Sequence, residues 1–158
     1  MEEVLVQARE SAEVTHNHPE GVRGAQATAA AVFLARSGYT KADIKAHIER
    51  EFGYNLSERL DAIRERYSFD VSCQGSVPQS IIAFLEADGF EDAVRNAISL
   101  GGDADTMACI AGGIAEAFFG SVPDEIASRT LDALDERLRG VVNEFRERFA
   151  DRRTSRCT

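Results

Sequence analysis

Helical periodicity is the feature of this sequence that most constrains its fold. Apolar residues recur three and four positions apart in nearly every segment, and almost no stretch alternates apolar and polar residues as a strand does. The segment from Pro19 to Ser37 also holds five alanines between positions 25 and 31. Because alanine lets neighbouring helices approach closely, we expect this segment at the centre of a bundle. The sequence therefore predicts an all-α fold, arranged as a compact multi-helix bundle.

Residues that cap or break helices set the predicted boundaries along the chain. Thr40 is expected to cap one helix that ends at Gly53, Ser57 to start the next, and Pro78 to open a third. Residues 68–76 are the one stretch with loop or strand character. The remaining predicted helices are residues 2–14, 19–37, 90–100, 103–119 and 124–152.

The predicted last helix, residues 124–152, carries a narrow apolar seam with alternating three- and four-residue spacings. Its members are Leu131, Leu134, Leu138, Val141 and Phe145. Such a seam fits one partner helix, either in this chain or in another. Because no internal repeat or low-complexity linker interrupts the sequence, we expect residues 1–158 to form a single domain.

Composition excludes several classes of protein. No apolar run approaches the ~20 residues of a membrane span, and Met1-Glu2-Glu3 lacks the basic start of a signal peptide. The net charge of −9 repels a phosphate backbone and argues against nucleic-acid binding. The three cysteines are scattered, which fits reduced thiols and argues against a disulfide frame or a zinc knuckle. We therefore predict a cytoplasmic protein with no membrane or nucleic-acid partner.

The first candidate site is the stretch Gly101-Gly102-Asp103-Ala104-Asp105-Thr106 at the start of a predicted helix. Two carboxylates and a hydroxyl offer only oxygen donors, which suit Mg²⁺, Mn²⁺ or Ca²⁺. The pattern also fits a purely structural role, with Asp103 as N-cap and Asp105 and Thr106 in the first turn. The interior glycines of this helix, Gly112 and Gly113, indicate close packing against a neighbour, since each costs about 1 kcal/mol relative to alanine.

The second candidate site joins the first two helices, where His16 and His18 lie two positions apart before Pro19. Beside a helix start that can receive anions, these histidines could be metal ligands, donors to a ligand or proton shuttles. Two exposed loop histidines without a function would give the same pattern.

Taken together, these clusters resemble the ADP-ribosylglycohydrolase family, an all-α fold with a binuclear magnesium or manganese site. The likeness is ordered along residues 11–125. It rests on Thr15-His16 followed by Gly24-Ala25, on Ser76-Val77-Pro78 followed by Ile81 to Leu85, and on Gly101 to Thr106 followed by Ala111-Gly112.

The resemblance implies a specific chemistry. Asp103, Asp105 and Thr106 would ligate Mg²⁺ or Mn²⁺, and His16 would line a pocket for ADP-ribose. The metals would orient the ribose hydroxyls and polarise the anomeric carbon while water displaces the attached group. The substrate would be an ADP-ribosylated protein side chain or a small acceptor, and the product ADP-ribose.

The sequence also departs from the family. Members begin with a segment that contains Gly-Asp, then Thr-Asp-Asp-Thr, then Asn-Gly-x-x-Met-Arg, and none of these occurs here. That portion supplies the other metal ligands and the general base, so no catalytic residue is assigned. Asp70, Glu86 and Asp88 are carboxylates that could substitute, although nothing in their spacing recommends them.

Three hypotheses follow from this truncated likeness. The chain is a hydrolase completed by a companion segment, a module that binds ADP-ribose or metal without turnover, or a structural remnant with an inactive site. A domain that lacks the family's first helices should also expose apolar faces. We therefore expect either a homo-oligomer or a companion chain that covers them.

Overall fold

The computed structural model describes residues 1–149, and the expected end of the last helix at residue 152 and Cys157 lie outside them. Within that range the chain is all-α, as predicted, and contains no strand. The nine helices are α1 (Glu2–Glu13), α2 (Pro19–Arg36), α3 (Lys41–Phe52), α4 (Leu60–Arg64), α5 (Cys73–Leu85), α6 (Phe90–Ser99), α7 (Ala104–Phe119), α8 (Asp124–Ala133) and α9 (Glu136–Phe149). None of these helices is long and apolar enough to cross a membrane.

The alanine-rich helix α2 lies at the centre of the bundle, as its composition predicts. It packs against α1, α3, α5 and α7. Its alanines at 27, 30 and 31 are fully buried, and Leu34 is almost so. Around it, α5 packs against both α6 and α7, and α6 packs along α7. Small side chains on α2 and α7 let these helices share one apolar core.

Helix α3 begins and ends where the sequence predicts. The Thr40 hydroxyl accepts a hydrogen bond from the amide of Asp43, and the Asp43 carboxylate accepts one from the amide of Thr40. This is a capping box, which satisfies two amides that the first turn of a helix leaves unpaired. Gly53 closes the helix in the left-handed conformation.

Two predicted helix starts are wrong. The Ser57 hydroxyl donates to Glu49 instead of capping α4. That helix begins only at Leu60, whose amide is satisfied by the Glu86 carboxylate at 3.0 Å. Pro78 lies inside α5 rather than at its start, because Ser72 caps the helix by accepting from the amide of Gly75.

The predicted continuous last helix is also wrong, because the chain leaves the helical conformation at Leu134. That residue is extended, with φ −79° and ψ 142°, and the Asp135 carboxylate accepts a hydrogen bond from the amide of Leu138 at 2.8 Å. Asp135 therefore starts a second helix, α9, and the seam is divided between α8 and α9.

The chain divides into two compact units, Met1–Ser121 and the part from Val122 onwards. The first unit contains α1 to α7 and every buried apolar residue of the described core. The second contains α8 and α9, neither of which has a buried residue. The expectation of a single domain over residues 1–158 stays a prediction.

Candidate functional site

The first candidate cluster lies at the N-terminus of α7. Gly101 and Gly102 precede it with φ of +75° and +67°, a conformation that side chains other than glycine rarely adopt. Asp103 is the residue before the first turn, and Asp105 and Thr106 are exposed within that turn. Although Asp103 occupies the N-cap position, its side chain makes no capping hydrogen bond. The structural role that the pattern also allowed is therefore not performed by its carboxylate.

Instead, Asp103 lies close enough to Asp105 to affect its carboxyl group. A hydrogen bond to Asp103, together with the first-turn amides of Thr106 and Asp105, holds the pKa of the Asp105 carboxyl below its usual range. Two neighbouring carboxylates concentrate negative charge, which favours a bound cation. The arrangement can therefore attract a cation at the start of α7.

The segment that leads into α5 lies against Gly102 of this cluster. A Cβ placed on Gly102 would come within 2.8 Å of the Tyr67 ring and 3.4 Å of the Phe69 Cα. The Tyr67 hydroxyl donates to the carbonyl of Gly75 at 2.7 Å. Burial raises the pKa of this hydroxyl, and the charges of Asp70 and Asp103 add to the effect. The start of α5 and the start of α7 therefore meet at one end of the bundle.

The second candidate cluster is the turn between α1 and α2, where both histidines are exposed. The Thr15 hydroxyl lies 2.7 Å from Nδ1 of His16, so this bond occupies one ring nitrogen and leaves Nε2 for another partner. Nδ1 of His18 accepts a hydrogen bond from the amide of Glu20 at 3.2 Å and caps α2. Of the two histidines, His18 therefore has a local structural role.

Helix α5 connects the two clusters. Near the start of α2, a Cβ on Gly24 would lie 3.1 Å from the Cβ of Cys73 and 3.2 Å from a methyl of Val77. The first turns of α5 thus contact the first turns of α2, while the segment before α5 contacts Gly102. The side-chain hydrogen bond of His16 runs to Thr15, however, and not to Asp103 or Asp105.

The side chains at the start of α7 offer the type of donor atom that a hard divalent cation binds, but too few of them to complete its coordination. Carboxylate and hydroxyl oxygens are the ligands that Mg²⁺ and Mn²⁺ take. Within residues 1–149, however, no group of three or more histidine, cysteine, aspartate or glutamate side chains is placed to hold a metal ion. Asp103, Asp105 and Thr106 therefore provide part of a coordination sphere.

None of the three substitute carboxylates joins this donor set by a hydrogen bond. Asp70 accepts from the amide of Ser72 at 2.8 Å, and Glu86 accepts from the amide of Leu60. Asp88 follows α5 at the opposite end of that helix from Cys73. Tyr67 is the neighbour of the site that sequence reasoning missed, because its spacing from Leu60 and Ile63 makes it look like one more apolar residue of a helix.

Comparisons with known proteins agree with this fold. The family model described as ADP-ribosylglycohydrolase matches residues 1–157. A solved structure named "ADP-ribosylglycohydrolase-related protein complex" is 29% identical in sequence, with a TM-score of 0.63. The likeness covers 83% of this chain and 47% of that one, so this chain spans about half the length of the protein it matches. The resemblance inferred from the sequence is confirmed, and the chain belongs to the ADP-ribosylglycohydrolase family.

Proposed function

We propose that this protein is a metal-assisted ADP-ribosyl glycohydrolase whose α7 N-terminus holds part of the metal site. Such an enzyme hydrolyses the bond between C1 of the ribose and a protein side chain or small acceptor. The observation that carries the proposal is the placement of Asp103, Asp105 and Thr106 together at the start of α7, where the Asp103 side chain caps no amide. Membership of a hydrolase family supports the reaction class.

In this proposal, Asp103, Asp105 and Thr106 hold Mg²⁺ or Mn²⁺. When bound, the metal supplies a Lewis acid that orients the ribose hydroxyls and polarises the anomeric carbon. The chain's own contribution is to fix the two carboxylates at the start of α7, where Gly101 and Gly102 leave the backbone accessible. His16 would contact ADP-ribose through Nε2, since Nδ1 is held by Thr15.

The remaining ligands and the general base would come from a companion segment outside these residues. The exposed face of α7 supports this idea, because it continues directly from Asp105. Cys109 is exposed one turn further along, and a Cβ on Gly113 would meet nothing within 4 Å. By contrast, a Cβ on Gly112 would lie 3.3 Å from Val94. The close packing that was predicted from both glycines is therefore confirmed at Gly112 and wrong at Gly113.

A second candidate function is binding without turnover, as an inactive fragment or a module for ADP-ribose or metal. It is favoured by the small donor set, since residues 1–149 hold no cluster of three ligating side chains. The two functions differ in what a companion segment adds. Hydrolysis that starts only when the segment is supplied indicates a split enzyme, and binding without any hydrolysis indicates a module.

Thermal unfolding tests the part of the proposal that this chain carries alone. Mn²⁺ or Mg²⁺, followed by ADP-ribose, should raise the midpoint of unfolding. Ligand at 100 times its dissociation constant adds ~2.7 kcal/mol, which corresponds to several degrees for a chain of this length. Asp105→Ala should abolish the shift caused by metal, and Asp132→Ala, an exposed aspartate on α8, should keep it.

Two outcomes would count against the proposal. If neither metal nor ADP-ribose shifts the midpoint of the wild-type chain, the residues at α7 do not form a working part of a site. If Asp105→Ala keeps the full shift, the cation binds elsewhere. Light scattering at micromolar concentration tests the expected homo-oligomer or companion, because a monomer argues against self-association.

A further inference from the structure

Tyr67 lies between the start of α5 and the start of α7. It follows α4, and its amide bonds to the carbonyl of Ile63 at 2.8 Å. Its hydroxyl donates to Gly75 in the first turn of α5, and its ring edge lies against Gly102. One side chain therefore contacts both the start of α5 and the residue that immediately precedes Asp103.

The two glycines before Asp103 need such a contact. They have no side chains of their own, and a Cβ on Gly101 would meet nothing within 4 Å. Gly102, by contrast, lies against the Tyr67 ring and the backbone of Ser68 and Phe69. Because a glycine pair is the most flexible backbone available, the direction of Asp103 depends on that support.

The Tyr67 hydroxyl keeps the ring in place. Its hydrogen bond to Gly75 has ordinary geometry for a hydroxyl donor, at 2.7 Å. This bond holds the ring from a second side, away from its contact with Gly102. A ring that is held at both its edge and its hydroxyl can restrict the backbone conformations that are open to Gly102.

We propose that Tyr67 is a positioning residue that holds Gly102 and so fixes Asp103 against Asp105 at the start of α7. The proposal rests on the function proposed above, because it concerns the same cation site. Tyr67 itself offers no ligand to the cation. Its role is to reduce the number of loop conformations in which the two carboxylates are apart.

Three variants of the full chain test this role. Tyr67→Leu removes the ring and the hydroxyl, whereas Tyr67→Phe keeps the ring and removes only the hydrogen bond to Gly75. Tyr39→Leu is the matched control, because Tyr39 is 49% exposed and lies away from this loop, after α2. The probe is Mn²⁺ alone, titrated and followed by its electron paramagnetic resonance signal.

A second readout needs no metal. The amide of Met107 bonds to the carbonyl of Asp103 at 3.0 Å and reports the first turn of α7. The amide of Ile44 bonds to Thr40 at 3.0 Å and reports the first turn of α3. In Tyr67→Leu we expect exchange at Met107 to speed up about tenfold while exchange at Ile44 stays the same. Mn²⁺ affinity should fall by a similar factor, and Tyr67→Phe should lie between Tyr67→Leu and the wild type.

The two proposals fail in different ways. Absence of Mn²⁺ binding by the wild-type chain contradicts the proposed function, whereas the exchange at Met107 tests Tyr67 without metal. Equal exchange at Met107 in the wild type and Tyr67→Leu overturns the role of Tyr67. Faster exchange at Met107 and Ile44 alike also overturns it, because Tyr67 would then stabilise the whole unit. An equal loss in Tyr39→Leu would have the same consequence.

Discussion

Helices α7 and α9 are similar in length but differ in how many of their residues are buried. The first is rich in alanine and glycine, and six of its sixteen residues are buried. The second carries large apolar residues at helical spacing, yet none of its fourteen residues is buried. Val141 and Phe145 on α9 are 60% and 63% exposed, whereas Ile114 on α7 is fully buried.

The difference shows that small residues mark a central helix better than large ones do. A helix surrounded by several neighbours must let them approach, and side chains such as Ala111 and Gly112 leave that space. A narrow row of large apolar residues needs only one partner, and the row on α9 is exposed. Apolar periodicity reveals a face, and residue size indicates how many neighbours surround the helix.

The largest expected effect is a stability difference between matched truncations on the two helices. Ile114→Ala removes a fully buried side chain and should lower the free energy of unfolding by about 2–5 kcal/mol. Val141→Ala should change it by less than about 0.5 kcal/mol, because the side chain is largely exposed. Urea unfolding followed by circular dichroism measures both.

A large loss for Val141→Ala would break the comparison. It would mean that the α9 seam is buried in solution against a partner or a second copy. Repeating the urea series at several protein concentrations separates these cases, since only self-association makes the midpoint depend on concentration.

A smaller effect should separate the two faces of α7 itself. Gly113→Ala should raise the free energy of unfolding by about 0.5–1 kcal/mol, because alanine favours a helix and the new Cβ meets nothing within 4 Å. Gly112→Ala should gain less or lose stability, because its Cβ would lie 3.3 Å from Val94. Equal gains at the two positions would show that neither face of α7 is closely packed.

Much of the fold follows from local sequence chemistry. The capping box of α3 and the central position of α2 are predictable because they depend on residues adjacent in the chain. The start of α4 is not, since its first amide is satisfied by Glu86, a partner 26 positions away. Asp135 is a local sign of the break at Leu134, because its side chain caps α9. The regular spacing of the apolar seam nevertheless predicts one unbroken helix.

The candidate site was only half predictable. Asp103, Asp105 and Thr106 are adjacent in the sequence, and their place at a helix start follows from Gly101-Gly102. The contact of Tyr67 with Gly102 joins residues 35 positions apart, and no pattern around Tyr67 indicates it. Contacts of this kind depend on how α4, α5 and α7 pack, which the sequence does not reveal by spacing alone.

The smallest expected effect is the part of the α3 cap that acid removes, and it should come from the packed unit. The hydrogen bonds from Thr40 hold the pKa of the Asp43 carboxyl below its usual range. A carboxyl whose pKa is lower in the folded state adds stability that is full above its unfolded pKa and is lost as the pH falls through its folded pKa. Asp43 should therefore stabilise the protein fully at pH 7, and its contribution to the capping box should fade as the pH falls below about 4.

Thermal unfolding at several pH values between 7 and 2 tests this contribution. Thr40→Ala should cost about 1 kcal/mol at pH 7, since it removes the N-cap of α3. It should cost less at pH 2, because protonated Asp43 no longer holds the charged half of the box. Asp43→Ala should likewise flatten the dependence of the midpoint on pH. If both variants keep the wild-type slope, the acid sensitivity of this protein arises at other carboxylates, and the α3 cap acts through its hydroxyl alone.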